Sequence, residues 1–166
     1  MKDPKHDVSD SEWADWFSKK MDEASPREEA FWERMRRVAK VQEEMIGSVT
    51  MVDQDEACIL LGLSETDTSA ALYRRQARCQ ILRFNIEGQA AYPLFQFDVV
   101  GQRVYPALIE LMKMRPEDWG GQMVFLHWLT QPNSSIGGAR PCDRLAKDGD
   151  AIVASFRAEI SEPLHG

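Results

Sequence analysis

Three cysteines and three histidines are all that this chain of 166 residues offers as thiols or imidazoles, and neither set is grouped. Cys58, Cys79 and Cys142 are odd in number, far apart and outside any C-x-x-C pair, which argues against a disulfide framework and a cysteine zinc site. Each thiol is expected to be a small buried apolar group. His6 and His165 fall near the ends, and His127, between Leu126 and Trp128 on an apolar helix, reads as a structural imidazole. No apolar run approaches the roughly 20 residues that span a bilayer, and the N-terminal stretch is too polar for a signal peptide. A positive surplus is lacking too: 20 Lys and Arg against 27 Asp and Glu give a formal charge of −7. Bulk attraction to nucleic acid or anionic membrane is therefore excluded, and any DNA contact must come from a small basic patch. A soluble cytoplasmic protein without a membrane partner is expected.

Reactive constellations are equally sparse. Ser134 and Ser135 have no nucleophile elbow around them and read as turn formers or caps. The pairs Gly120-Gly121 and Gly137-Gly138 lack the Lys-Ser/Thr or the strand context of a phosphate loop. Asp53/Asp55 and Asp148/Asp150 read as capping or solvated acids. The expectation is a chain that is not an enzyme, with no catalytic residue, metal site or cofactor. A small enzyme using Ser134, Ser135 or His127 is the rival among catalytic readings.

What the chain does contain is apolar periodicity, at 43% hydrophobic residues, enough for a packed core. We read a mainly α fold in four parts. Residues 1–49 form a helical N-terminal arm. Ser9 or Ser11 caps a helix bearing Trp13, Trp16, Phe17 and Met21, and Ser25-Pro26 with Glu28 and Glu29 opens a second. The second helix carries Phe31, Trp32, Met35, Val38, Val41, Gln42 and Met45 as one stripe. This arm reads either as a homodimer or partner helix or as a cover for its own domain. With 9 basic and 12 acidic residues before residue 47 it is no nucleic-acid tail.

Residues 50–98 read as a helix-turn-helix with a small β-hairpin. A short helix from about Asp53 buries Ala57, Ile59, Leu60 and Leu61 and stops at Gly62. Ser64 then caps a second helix running towards Gln76, and strands flank a turn at Glu87-Gly88. On or just after the second helix lie Thr66, Thr68, Ser69, Tyr73, Arg74, Arg75 and Arg78, the candidate DNA-binding set. Glu65 and Asp67 oppose it, and residues 47–100 carry 7 acids against 4 arginines. Binding to operator DNA would then be weak, salt-dependent and helped by dimer avidity. The alternative is a helix pair kept for packing.

Residues 99–160 are again read as helical, with helices opening at Tyr105-Pro106, running from Met123 to Leu129, from Pro141 to Lys147 and from Asp150 to about Ile160. Residues 161–166 read as a tail. Between Trp128 and Pro141 a helix stops, turns and restarts: Pro132 disfavours helix at Gln131, Gly137 and Gly138 accept positive φ, and Pro141 suits a first helical turn. Such a polar corner suits recognition of another protein.

On these residues the chain resembles Xre/MbcA/ParS antitoxins, partners of RES-domain toxins, over about residues 50–160. The matching features are Ala57 with Leu61-Gly62-Leu63-Ser64, the Tyr92-Pro93-Leu94-Phe95-Gln96-Phe97-Asp98 segment, Gly101, Val104 and Pro106. The toxin-binding pattern follows in Trp128-Leu129, Pro132-Asn133, Gly138, Pro141 and Leu145. The resemblance implies an antitoxin of a type II toxin-antitoxin system that occludes a RES-type toxin, itself NAD-degrading or an ADP-ribosyltransferase. It also implies transcription regulation of its own operon. Carried onto this sequence, the toxin-facing surface would comprise Asn133, Ser134, Ser135, Gly137, Gly138, Arg140, Pro141 and Arg144, with Arg140 and Asp143 meeting opposite charges on the toxin. The alternative is a stand-alone helix-turn-helix transcriptional regulator. A homodimer is expected, through the arm or within the toxin complex.

Overall fold

The computed structural model describes residues 10–63 and 68–162, with the side chains of Asp10, Ser11, Trp13 and Thr68 outside the description. The chain divides into two compact units, one up to Ile46 and one from Gly47 onward. It is mainly helical with a small antiparallel sheet.

The first unit is a helical hairpin of α1 (Asp10–Glu23) and α2 (Pro26–Gly47). Pro26 takes the first helical position, where its missing N–H costs nothing. The Glu28 amide donates to Ser25 Oγ at 3.4 Å while the Ser25 amide donates to Glu28 Oε2 at 3.2 Å, so the capping box read from Ser25 and Glu28 forms. Ser9, one of the two caps expected for α1, lies outside the described residues, as does the side chain of the other, Ser11. Trp16 and Phe17 of α1 meet Trp32 of α2 edge to face, at centroid separations of 5.9 and 6.5 Å. The guanidinium of Arg36 lies 5.6 Å from the Phe17 ring. Nevertheless no residue of α2 is buried, because one short facing helix cannot cover a stripe this wide.

The second unit holds the core. Asp53 caps α3 (Gln54–Leu60) through its own capping box, accepting from the Glu56 amide at 2.8 Å while Glu56 accepts from the Asp53 amide at 2.8 Å. Ala57, Cys58 and Leu61 of this turn are buried, whereas Ile59 is 73% exposed and Leu60 is only half-buried. The expected burial of Ile59 is corrected by geometry: at 100° per residue it falls opposite Ala57 and Leu61. The helix α4 (Thr68–Ala77) packs against α3; Ser64, Glu65, Thr66 and Asp67 lie outside the described residues.

The hairpin forms as read. Strands β2 (Phe84–Ile86) and β3 (Gln89–Pro93) pair antiparallel, Phe84 opposite Ala91, around Glu87 and Gly88 with φ of 53° and 78°, the two positive values of a type I′ turn. A strand not foreseen, β1 (Met51–Val52), pairs with the other side of β3, giving the order β1-β3-β2. A second pair, β4 (Phe97–Asp98) with β5 (Arg103–Val104), replaces the start of the all-helical region. Asp98 closes that turn, accepting from the Gly101 amide at 3.0 Å and Arg103 Nε at 3.1 Å. The amide bond first, and the arginine second, hold its carboxyl below the ordinary carboxylate range.

Helix α5 (Pro106–Met114) starts at its proline and packs on α7 (Gly149–Ser161), with α6 (Gln122–Thr130) completing the layer. Leu108, Leu111, Phe125, Leu126, Leu129, Ile152 and Phe156 are all fully buried. The helix expected from Pro141 to Lys147 is instead a single 3-10 turn, Pro141–Asp143. The Arg144 backbone leaves the helical region at φ −121°, and Leu145 is buried. Buried Gln96 ties the layers together: its Nε2 donates to the Leu82 carbonyl at 2.9 Å and its Oε1 accepts from the Leu82 amide at 2.8 Å. Cys58 and Cys142 are buried as expected, but Cys79 is exposed. It follows the end of α4 in a left-handed conformation, φ 54°, that turns it away from the core.

Candidate functional site

Pro132 ends α6 at Thr130 by driving Gln131 into extended geometry, ψ 147°. The chain then folds back on itself around Asn133. The Asn133 amide donates to the Ala139 carbonyl at 3.0 Å, and the Gly138 amide donates back to the Asn133 carbonyl at 2.9 Å. Its side-chain Oδ1 accepts from the Ser135 amide at 2.9 Å and so caps the 3-10 turn Ser134–Ile136. Its Nδ2 donates to Ser155 Oγ on α7 at 3.0 Å. Gly137 and Gly138 take φ of 71° and 78°, the left-handed region where glycine has no steric cost. With the Ile136 amide also donating to the Asn133 carbonyl at 3.2 Å, the corner is fixed by five hydrogen bonds around one residue and pinned to a core helix.

Of the candidate toxin-facing residues, Ser134, Ser135, Gly137, Gly138, Arg140 and Arg144 are exposed, and Asn133 is half-buried. Pro141 is buried and anchors the corner instead of presenting a surface. Arg140 does not stand ready for a partner's carboxylate: its Nε and Nη2 donate to the two oxygens of Asp143 at 2.8 and 3.1 Å. This fork raises the arginine's own pKa and makes the two side chains a neutral unit. Arg144 reaches Asp148 at 3.6 Å. The corner therefore offers hydroxyls and peptide groups with its charges paired.

Beside the corner runs a groove of about 520 Å³, floored by α7 and lined by Trp119, His127, Trp128, Ser134, Ser135, Ser155, Glu159 and Glu162 among others. His127 is exposed on it, so the structural-imidazole reading is corrected: Phe125, Leu126, Leu129 and Thr130 take the buried face of α6 and leave His127 on the other. The three residues of the catalytic rival share this groove, but among the described residues no hydrogen bond joins His127 to either serine. Ser155, Glu159 and Glu162 were missed from sequence, although their spacing of four and three places them on one helical face. No group of His, Cys, Asp or Glu among the described residues could hold a metal ion.

No protein-family model matches the chain, and comparison with curated proteins and with solved structures gives no match.

The candidate DNA-binding residues divide. Ser69, Tyr73 and Arg74 are exposed on α4 and Arg78 in the turn just after it, Arg75 is half-buried, and Thr66 and the Thr68 side chain lie outside the described residues. Spacings of four between Ser69 and Tyr73 and between Arg74 and Arg78 make adjoining rows on one side of the helix. No described helix is long and apolar enough to cross a membrane.

Proposed function

We propose that this chain is an antitoxin that binds a RES-type NAD-using toxin and occludes its active site with the corner from Asn133 to Arg144. The observation that carries the reading is the bonding around Asn133, which holds Ser134, Ser135, Gly137 and Gly138 outward in one conformation. A preformed loop loses little freedom on binding, so its contacts convert efficiently into affinity. The resemblance of these residues to Xre/MbcA/ParS antitoxins supports a RES-type toxin as the partner. The test is co-expression with a RES-type toxin. Ser135→Arg with Arg144→Glu, both exposed, is expected to abolish capture of the toxin and restore its lethality while lowering stability by no more than about 1 kcal/mol, the worth of the exposed Arg144–Asp148 pair. Neutralisation that survives the double substitution sinks the proposal.

A second activity, operator binding, is favoured by Tyr73 and Arg74, exposed on α4, and Arg78, exposed just after it. This same surface would serve a stand-alone regulator. With so few arginines per copy, affinity should fall with salt at a logarithmic slope of about −0.9 for each phosphate contacted. A mobility shift on the chain's own promoter, repeated across salt with Arg74→Ala and Arg78→Ala, measures that slope. A salt-insensitive complex rules out the arginine-based contact.

A further inference from the structure

Four features of the groove beside the corner share one electrostatic sign. Glu159 and Glu162, both exposed, line it, and no lysine or arginine among the described residues does. Neither glutamate is in an ion pair with a described cation. Two helices also end there: Gln131 caps the carboxyl end of α6 and Glu162 that of α7, and both capping residues line the groove. A helix carboxyl end carries about half a negative charge. Trp119 and Trp128 also line it, beside His127, each indole packed edge to face with the buried Phe156 ring at 5.0 and 4.9 Å. Bracing by Phe156 holds both indoles in place, and both remain partly exposed. Indole faces attract cations, most strongly when the ring is held rigid and partly dry.

The geometry points to this groove as a binding site for a guanidinium group, the side chain of an arginine presented by a protein partner. Arginine fits better than lysine because its planar head stacks on an indole and forks to a carboxylate at once, where an ammonium does one or the other. The groove volume of about 520 Å³ leaves room for the residues flanking the arginine, within the range of sites that take small ligands. The site deepens the protein-binding reading of the adjoining corner, and rests on it only for the source of the arginine.

The experiment is a titration of the full chain with N-acetyl-argininamide, followed by the indole Nε1–H resonances, assigned with Trp119→Phe and Trp128→Phe. Both indoles are expected to shift with argininamide, less with N-acetyl-lysinamide, and not with the neutral citrulline analogue. Glu159→Gln with Glu162→Gln, at two exposed positions, should weaken the binding about tenfold. No indole shift, or an equal shift with citrulline, overturns the site; an equal affinity for lysinamide overturns the preference for a guanidinium. The same double variant should also lose toxin capture, and unchanged capture overturns the toxin as the source of the arginine. If the unmodified chain captures no toxin while the indoles still respond to argininamide, the antitoxin reading fails and the guanidinium site stands.

Discussion

Asn133 holds the corner by both ends of its carboxamide, capping one turn with oxygen and reaching α7 with nitrogen. Asn133→Ala removes both bonds and should lower stability by about 1–2 kcal/mol, read as a lower urea midpoint with an unchanged slope. Asn133→Asp keeps the cap and loses the amide donor, and Ser155 Oγ–H can donate to the new carboxylate instead, so it should cost less than the alanine. The thiols separate by environment in the same residue-level way. Cys79 should react rapidly with a thiol reagent in the native chain and Cys58 and Cys142 only on unfolding, because the latter two are buried. Burial, aided by the neighbouring Asp143, pushes Cys142 from 9.0 up to about 11. The unfolded thiol ionises first, so its linkage leaves stability intact below pH 9 and erodes it as pH rises from there towards 11. Urea midpoints across that window, compared between the native chain and Cys142→Ala, check the sign.

Helices announced themselves through their ends. Asp53 with Glu56 and Ser25 with Glu28 make capping boxes that can be read in four residues, and both form. The turn at Glu87-Gly88 was legible for the same reason, since its positive φ values are a local demand. The paired segments β1, β4 and β5 were not, being two residues long each and too short to show a period. Within the second unit the buried side chain of Gln96 replaces water for the N–H and the C=O of Leu82, fourteen residues earlier. Gln96→Leu leaves the Leu82 N–H and C=O buried without those partners and should cost on the order of 1–3 kcal/mol. Gln96→Glu, which keeps the acceptor, should not recover the lost donor. Equilibrium unfolding of the two variants measures this, and an unchanged midpoint for the leucine variant would remove Gln96 from its role.

Across the whole molecule, the two units differ in how their helices are held. Residues 47–166 enclose a continuous core around Leu108, Phe125, Leu126, Leu129, Ile152 and Phe156. Within the unit up to Ile46, Phe31, Val38 and Val41 of α2 remain 44, 43 and 56% exposed. Helix stability comes mostly from a packed face, so amides of α1 and α2 should exchange with deuterium well ahead of those in α5, α6 and α7. Slow exchange in α2 that becomes fast on dilution would instead show its stripe covered by a second copy. Native-state exchange at two protein concentrations separates the outcomes.

The sequence by itself determined where α2, α3 and α5 begin, where the corner turns and which residues there are small and polar, because caps and positive-φ turns are settled among close neighbours. It also placed Ser134, Ser135, Gly137 and Gly138 on one corner, as the structure shows them. Tertiary structure alone decided that Pro141 is buried, that Ile59 and His127 are exposed, and that Trp119, Ser155, Glu159 and Glu162 meet the corner. Those outcomes depend on which face of each helix meets the Phe156 core and on segments far apart in the chain, and no local pattern carries that information.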